Sequence, residues 1–506
     1  MLESADIARR FARESLILTE GALSLLLSCP NVEATIERVI GDLRSANVLR
    51  GIVDAETVRR LIRPEEKPPE PEPPSPQVGE LVHDKFRPVS AEHEGRLEVL
   101  KDVTGRSLGK GTAEDFHRIF TSRFEKLSRI LRSRPGMEHA VSISSLGRYE
   151  NERVAVIGMV LEKRRLKGGT VAIELEDSTG SVTVLATKVN RKVLERADHV
   201  VPDEVIGVQG KVTKGYGGRL RIFADQIEWP GAPVVRQVRK AEVPAAAALI
   251  SDLHIGSDKF LEDVFARFVR WLKGGGETEK ERELAGMVKY VVIAGDLVDG
   301  IGIYPEQYDE LLIPDIFRQY ETAAKLLADL PDHVTVVISP GNHDAVRMAE
   351  PQPAIPKEIC PAIYDLQAVM VGNPALVSIE GVHVLVYHGR SFDDLVGMVP
   401  GVRREKPTDL MRLMLEKRHL APVYGGKVLF APEREDLLVI DDIPDVIHTG
   451  HVHIYGCERY KEVLLVNSGT FQERTEYMKK LGVVPTPGKV PIVNLMTHEF
   501  TVKEFM

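Results

Sequence analysis

Residues 334–344 read Val334-Thr335-Val336-Val337-Ile338-Ser339-Pro340-Gly341-Asn342-His343-Asp344. A β-branched apolar run closed by proline and glycine reads as a buried strand ending in a tight turn. Such a turn delivers an amide, an imidazole and a carboxylate to one rim of a sheet. Four further runs end in the same chemistry. Residues 245–250 lead into Ser251-Asp252-Leu253-His254, and residues 288–294 into Gly295-Asp296-Leu297-Val298-Asp299-Gly300. Residues 382–387 lead into His388-Gly389, and residues 445–449 into Gly450-His451-Val452-His453. Helical segments such as residues 261–273 and 314–330 alternate with these strands, so residues 243–506 are expected to form an α/β domain with ligands at its strand ends.

In an extended segment, residues two apart point to the same side, so Asp252 with His254, and His451 with His453, can each reach one point. Carboxylate, imidazole and amide oxygen together suit a borderline-to-hard divalent cation such as manganese. The lack of nearby cysteine argues against structural zinc. A carboxylate shared between two ions makes a dinuclear centre with metals roughly 3.5–4 Å apart, and Asp296 is the natural bridge. A single histidine is usually a core or surface residue. Five such motifs at five strand ends are poorly explained by coincidence.

The whole chain sets outer bounds. Its 506 residues, 43% of them hydrophobic, allow two to four domains with ordinary cores. A net charge of -9 argues against coating nucleic acid by bulk charge, so any such contact must be local or shared with a partner. Cys29, Cys360 and Cys457 show no paired spacing and are expected to be buried small apolar residues rather than a disulfide framework or zinc ribbon. No apolar stretch approaches the roughly 18–20 residues of a membrane span, and the first residues lack a leader pattern. The expectation is a cytoplasmic, multidomain protein without a membrane partner.

Residues 1–63 alternate short apolar helical patterns with turn signals and predict a small helical domain, there to hold a partner or merely to fold. Residues 64–113 form a linker whose first part, 64–78, is so rich in proline and glutamate that a semi-rigid extended tether is expected. Residues 114–150 begin with an amphipathic helix. Phe116, Ile119, Phe120, Phe124, Leu127, Ile130 and Leu131 lie on its apolar side, with Arg118, Arg123, Lys126, Arg129, Arg132 and Arg134 among them. A solvated charged face is the default reading there, and contact with DNA or a partner the sharper one. Residues 151–235 carry five β-rich runs, and with the turn Asp177-Ser178-Thr179-Gly180 they resemble an OB-fold. Lys163, Arg164, Arg165 and Lys167 supply positive charge for DNA, whereas only Tyr216, Phe223 and Trp229 are available to stack on bases. The barrel is therefore weighted toward a protein-binding or structural role.

The five motifs, in the order Asp-x-His, Gly-Asp-x-x-Asp, Gly-Asn-His-Asp, His-Gly and Gly-His-x-His, make residues 249–455 resemble the calcineurin-like metallophosphoesterase superfamily. That resemblance implies Asp252, His254, Asp296 and His453 around one ion. It implies Asp296, Asn342, His388 and His451 around the other, with His343 as the catalytic, non-ligand histidine that assists the leaving oxygen. Asp299 and Asp344 are expected to orient ligands from behind, and Arg347 and Arg390 to grip phosphate or form ordinary salt bridges. With the barrel placed before this domain, and the extension containing Gln352 after Gly-Asn-His-Asp, residues 115–506 are similar to the small subunits of archaeal family D DNA polymerases.

Membership of that family implies a 3′-to-5′ exonuclease with two divalent ions, manganese foremost and magnesium, iron(II) or zinc as alternatives. It implies DNA 3′ ends, single-stranded or mismatched, as substrate, and a separate large catalytic subunit as partner in a heterodimer. A sliding clamp is a further partner by family, although Glu499-Phe500-Thr501-Val502-Lys503-Glu504-Phe505-Met506 is not a convincing clamp-binding peptide. Two alternatives stand beside this reading. One is a stand-alone phosphoesterase, which leaves the barrel and N-terminal domain without a purpose. The other is a non-catalytic replisome scaffold.

Overall fold

The runs that the sequence marks as strands are mostly apolar because they are covered on both faces. In the computed structural model Ala246–Ile250 and Val288–Ala294 are buried throughout. Alternate side chains go to different cores. Ala246, Ala248 and Ile250 join helices on one side, while Ala247 and Leu249 join a second sheet on the other, as the two-residue period of a strand requires. The structure describes residues 4–13, 16–29, 31–45, 51–62, 86–107, 110–233 and 236–506.

Two six-stranded sheets pack face to face. The first runs Val369–Met370, Thr335–Ser339, Val288–Ala294, Ala246–Ile250, Lys489–Asn494, Phe500–Glu504, parallel through its first four strands and antiparallel thereafter. The second runs Gly456–Tyr460, Val463–Asn467, Val446–Thr449, Val382–Val386, Ala375–Ile379, Leu97–Lys101. Between the sheets lie Val292, Val337, Val377, Val384, Val386, Val446 and Leu464, each contributing on the order of 1.5–3 kcal/mol by burial. A charge at Val292 would face apolar side chains only. Helices Glu262–Leu272 and Ile316–Ala328 cover the first sheet, and Phe392–Met398 and Pro407–Lys417 the second. Because both sheets are covered, polar groups can gather only at strand ends.

Residues 97–101, assigned above to the linker, are an edge strand of the second sheet, pairing antiparallel with Ala375–Ile379. A run of Leu, Glu, Val, Leu and Lys is too short and too polar to announce itself. The proline-rich stretch 64–78 lies outside the described residues. Lys85–Met506 form a single compact unit, so the barrel and the two-sheet region are not separate bodies.

The barrel closes in the order Arg153–Arg165, Val171–Asp177, Gly180–Ala186, Leu220–Glu228, Val205–Lys214, and closure leaves no strand edge unpaired. Its Asp-Ser-Thr-Gly turn is held by Asp177 Oδ1, which accepts from the Thr179 amide at 2.7 Å. Helix Ala113–Arg132 starts in a capping box of Thr112 and Asp115. Leu127 and Leu131 pack with Ile157 and Val205 of the barrel and with Val439 of the two-sheet region. The expected solvated basic face is only partly found. Arg123 is fully buried, donating to Asp436 Oδ2 at 2.7 Å and to the carbonyls of Asp203 and Pro422 at 3.0 and 2.6 Å. Lys126 pairs with Glu435 at 2.7 Å. This helix is a strut, and Arg123 is not a DNA contact.

The unit Met1–Asp84 has helices Ser4–Arg13, Glu20–Leu27, Val32–Ser45 and Ala55–Ile62 around Ile7, Phe11, Leu26, Val39 and Val58. The helical expectation omitted a two-stranded parallel pairing of Leu16–Leu18 with Gly51–Val53. Of the cysteines, Cys360 is buried, while Cys29 and Cys457 are only half-buried and all three are free.

Candidate metal centre

The two Gly- and Asp-bearing loops of the first sheet are zipped together by backbone hydrogen bonds. The Asp252 amide donates to Gly295 O at 3.0 Å and the His254 amide to Asp296 O at 3.1 Å. Asp252, His254, Asp296, His451 and His453 all have positive φ, between 51° and 69°. This left-handed region costs non-glycine residues of order 1–3 kcal/mol each and persists only where the surroundings impose it. The pairs Asp252/His254 and His451/His453 therefore do not converge through strand pleating, as their spacing suggested. They converge because each loop curls left-handed past its strand end.

Gly341 and Gly450 explain two of the motif glycines by space. A Cβ on Gly341 would stand 2.2 Å from Asp296 Oδ1, and one on Gly450 2.3 Å from Asp252 Oδ2.

Asp296 is central. Its Oδ1 accepts the His343 amide at 2.8 Å. Its Oδ2 lies 3.2 Å from His388 Nε2, 3.8 Å from His254 Nε2 and 4.0 Å from His343 Nε2. Asn342 Oδ1 stands 3.2 Å from His388 Nε2. On the other side Asp252 Oδ1 is 3.3 Å from His453 Nε2, and the Nε2 atoms of His254 and His453 face each other at 3.0 Å. Three overlapping donor sets result, Asp252/His254/His453, Asp252/Asp296/His388 and His254/Asp299/His343, each with ligand atoms within 4.8 Å of one another, and the first two share Asp252. The ring of His451 lies 5.1 Å from that of His388, with Nε2 3.7 Å from Asp393 Oδ2.

Which ring nitrogens point inward is set from behind. His388 Nδ1 meets the carbonyl of Ala294 at 2.9 Å, and His343 Nδ1 the carbonyl of Asp299 at 2.7 Å. A carbonyl only accepts, so both Nδ1 atoms carry hydrogen, and in the neutral ring Nε2 offers a lone pair. His254 Nδ1 is bonded to Asp299 Oδ1 at 2.8 Å, the carboxylate–imidazole pairing that orients metal ligands. Asp299 thus stands behind His254, the position expected of it. Asp344 does not hold a histidine. Its carboxylate takes the amides of Gly341 at 2.8 Å and Leu297 at 3.3 Å and the Tyr320 hydroxyl at 3.1 Å, fixing the loops' backbones. Burial and the neighbouring Asp296 charge push Asp344 up to about 6.

Burial works against ionising Asp252 and Asp296, yet both are held below the ordinary carboxylate range, Asp252 mainly by His453 and Asp296 mainly by His388. Burial likewise disfavours a charged His388, but Asp296 and Asp252 push it up to about 10. A cation bound between them would displace that proton. Converging lone pairs, ionised carboxylates, an unpartnered buried Nδ1 on His453 and backing carbonyls fit hard-to-borderline divalent cations. With no thiolate among the donors, they do not fit a structural zinc site.

The remaining sequence candidates separate clearly. Arg347 is a structural ion-pair residue, bonded to Glu433 at 2.7 Å and to Ser107 Oγ at 2.6 Å. It is not among the residues that line the cavity over the donors. Arg390 lines the cavity above the donors, and its Nη1 is buried without a hydrogen-bond partner. In the barrel, Lys163 donates to the Asp198 carbonyl at 2.6 Å and Arg165 pairs with the Asp198 carboxylate, whereas Arg164 and Lys167 are exposed. Trp229 is buried and donates to Glu204 Oε1 at 3.0 Å, so it cannot stack on a base, while Phe223 is exposed.

Asp393, Arg404, Lys427, Gln472, Tyr304 and Tyr477 also line the cavity, and sequence reasoning gave them no role. Asp393 follows closely on His388-Gly389-Arg390, a position that could have drawn attention. Burial opposes its ionisation, but His451, Arg404 and Lys427 hold it far below the usual range. The others have no local signal.

Comparison with known proteins now defines the class. The family of DNA polymerase alpha/epsilon B subunits matches residues 247–456, and the family described as OB-fold nucleic acid binding domain matches residues 154–229. The DNA polymerase II small subunit of Methanothermobacter thermautotrophicus is 46% identical over 407 residues, 80% of this chain and 83% of that one. That of Archaeoglobus fulgidus is 46% identical over 396 residues, 78% of each. That of Halobacterium salinarum is 36% identical over 517 residues, 99% of each. The chain belongs to the family of archaeal DNA polymerase II small subunits.

Proposed function

We propose that this polymerase subunit is itself a 3′-to-5′ exodeoxyribonuclease that trims unpaired DNA ends for a separate large polymerising subunit. The observation that carries the reading is the pair of donor sets sharing Asp252, with Asp296 Oδ2 reaching toward histidines of both. Asp252, His254, Asp296 and His453 would hold one divalent cation. Asp296, Asn342, His388 and His451 would hold the other, with manganese the best match to this donor chemistry and magnesium, iron(II) or zinc as alternatives. Bound there, two cations supply Lewis acidity toward the scissile phosphate and its nucleophile.

The protein's own groups do the rest. His343 has Nδ1–H anchored on the Asp299 carbonyl, and only 13% of its side chain is exposed. In the imidazolium form its Nε2–H can pass a proton to the departing 3′ oxygen of the shortened strand. Arg390 offers an unpartnered N–H toward a phosphate oxygen. Asp299 and Asp344 keep the histidine and the loops in place. Of the alternatives, the stand-alone phosphoesterase shares the centre but makes no use of the polymerase-subunit ancestry. The scaffold does not account for the strained backbone gathered at one point.

The test is digestion of 5′-labelled single-stranded and primer–template DNA by the purified chain in manganese, beside His451→Ala and His343→Ala. A ladder shortening from the 3′ end in the wild type, and lost in both variants, is the expected result. Intact DNA, or cleavage unchanged in both variants, would transfer the assignment to the scaffold.

A further inference from the structure

The cavity over the donors, about 450 Å³, has walls of unlike chemistry. Its floor is the ligand set. One side carries Arg390, Arg404 and Lys427 around Asp393, and another carries Ile303, Tyr304, Tyr477, Met478 and Leu481. The nuclease reading employs the floor and the charged side and leaves the aromatic side without a task.

Tyr304 and Tyr477 stack with ring centroids 5.0 Å apart and planes 21° from parallel, and the Tyr304 ring stands 6.1 Å from that of His343. Glu310 aligns both segments. Its Oε2 accepts the Tyr304 hydroxyl at 2.8 Å, and its Oε1 accepts the Glu476 amide at 3.2 Å. Thr475 caps the short helix that carries Tyr477. Despite this anchoring, Tyr477 is 42% exposed and Leu481 48%. An aromatic and aliphatic surface held open to water directly beside an ionic centre matches a ligand that is anionic at one end and planar and apolar at the other. A nucleotide has that form.

Resting on the nuclease reading above, the geometry points to a base-binding subsite, built on Tyr304 and Tyr477 with Met478 and Leu481, that receives the terminal 3′ nucleobase of the strand being cut. Stacking on an aromatic ring stabilises a bound base by about 1–3 kcal/mol whatever its identity, which suits a nuclease that must accept all four. It also supplies a preference for unpaired ends. A base can reach the tyrosines only by leaving its duplex stack, and this costs least where it is mismatched or already single-stranded.

The experiment uses the full chain, with Tyr477→Ala and Tyr477→Phe, and reads two quantities. The first is binding of deoxyadenosine monophosphate against 2-deoxyribose 5-phosphate by calorimetry in manganese. The second is cleavage of single-stranded DNA ending in an ordinary or an abasic 3′ residue. The wild type is expected to bind the nucleotide about tenfold more tightly than the sugar phosphate. Tyr477→Ala should erase that difference and Tyr477→Phe keep it. The loss of kcat/KM in Tyr477→Ala should be about tenfold larger on the ordinary end than on the abasic one.

Equal binding of the two ligands by the wild type, or equal weakening of both by Tyr477→Ala, overturns the subsite. So does a Tyr477→Ala variant that no longer holds the large polymerising chain yet binds nucleotide unchanged, which would make the wall a protein contact. Intact DNA together with Tyr477-dependent nucleotide binding would defeat the nuclease reading and leave the subsite standing. Cleavage without base dependence would do the reverse.

Discussion

Two of the places where charge is buried in this molecule are built on opposite principles. Where the barrel meets the two-sheet region, two buried cations each have an anion. Arg123 lies on Asp436, which also takes His419 Nε2 at 2.9 Å, and Lys417 lies on Glu204, which also takes Trp229. In the cleft, Asp252 and Asp296 sit among imidazoles whose Nε2 atoms point at the carboxylates and at one another, with five residues in left-handed backbone. The first arrangement sets each of these cations on a carboxylate and holds two parts of the chain together. The second concentrates acceptors and strain, and its parts are mutually consistent as ligands. Burial alone does not distinguish a working site from a structural one; the balance of donors and acceptors does.

The largest expected effect breaks the cleft. Asp296→Asn is expected to abolish both nuclease activity and the rise in melting temperature on adding manganese. The melting temperature of the metal-free protein should fall modestly, because folding holds the Asp296 carboxylate ionised beside His388 and the variant leaves that imidazole without its main partner. A manganese-induced rise that survives in the variant would show that Asp296 does not hold the ion.

The mirror experiment breaks the junction. Arg123→Met leaves Asp436 buried without its principal cation, and loss of one member of a buried pair costs about 3–5 kcal/mol. A lowered melting temperature is expected, with manganese affinity unchanged. Unchanged stability with weakened DNA binding would restore Arg123 to the role of DNA contact.

The smallest effect comes from a carboxyl of neither kind. Glu350 is buried, accepts the Tyr387 hydroxyl at 2.9 Å, and is pushed by burial up to about 7 from an ordinary 4.5. A carboxyl raised by folding binds its proton more tightly in the native state. Its contribution is therefore fully present below about pH 4.5 and is lost as pH rises through about 7. Relative to wild type, Glu350→Gln should gain stability across that window, by about 1–3 kcal/mol. A difference that does not change with pH would show that Glu350 is ionised throughout.

The donor set was legible because each ligand motif directly follows an apolar run, and strand ends are the only place such a fold can put polar groups. Asp299 was legible for the same reason, lying three residues after Asp296. Arg123 was misread, since helical periodicity reports which face is apolar and says nothing of an arginine that crosses that face to reach Asp436. For Arg347 the structure shows the salt bridge, one of the two readings offered, whereas Asp344 was misjudged. Each lies beside a ligand in the chain, yet one turns to Glu433 and the other to backbone amides.

By itself, then, the sequence determined the five strand-end motifs and the five-stranded barrel before them. These are local properties, written in runs of a few residues. Only the tertiary structure decided that Leu97–Lys101 completes a sheet, that the ligand pairs converge through left-handed turns, and that Asp393, Tyr304 and Tyr477 stand at the same cavity. Residues 304 and 477 are brought together by packing between segments far apart in the chain, and no periodicity or spacing in the sequence encodes that contact.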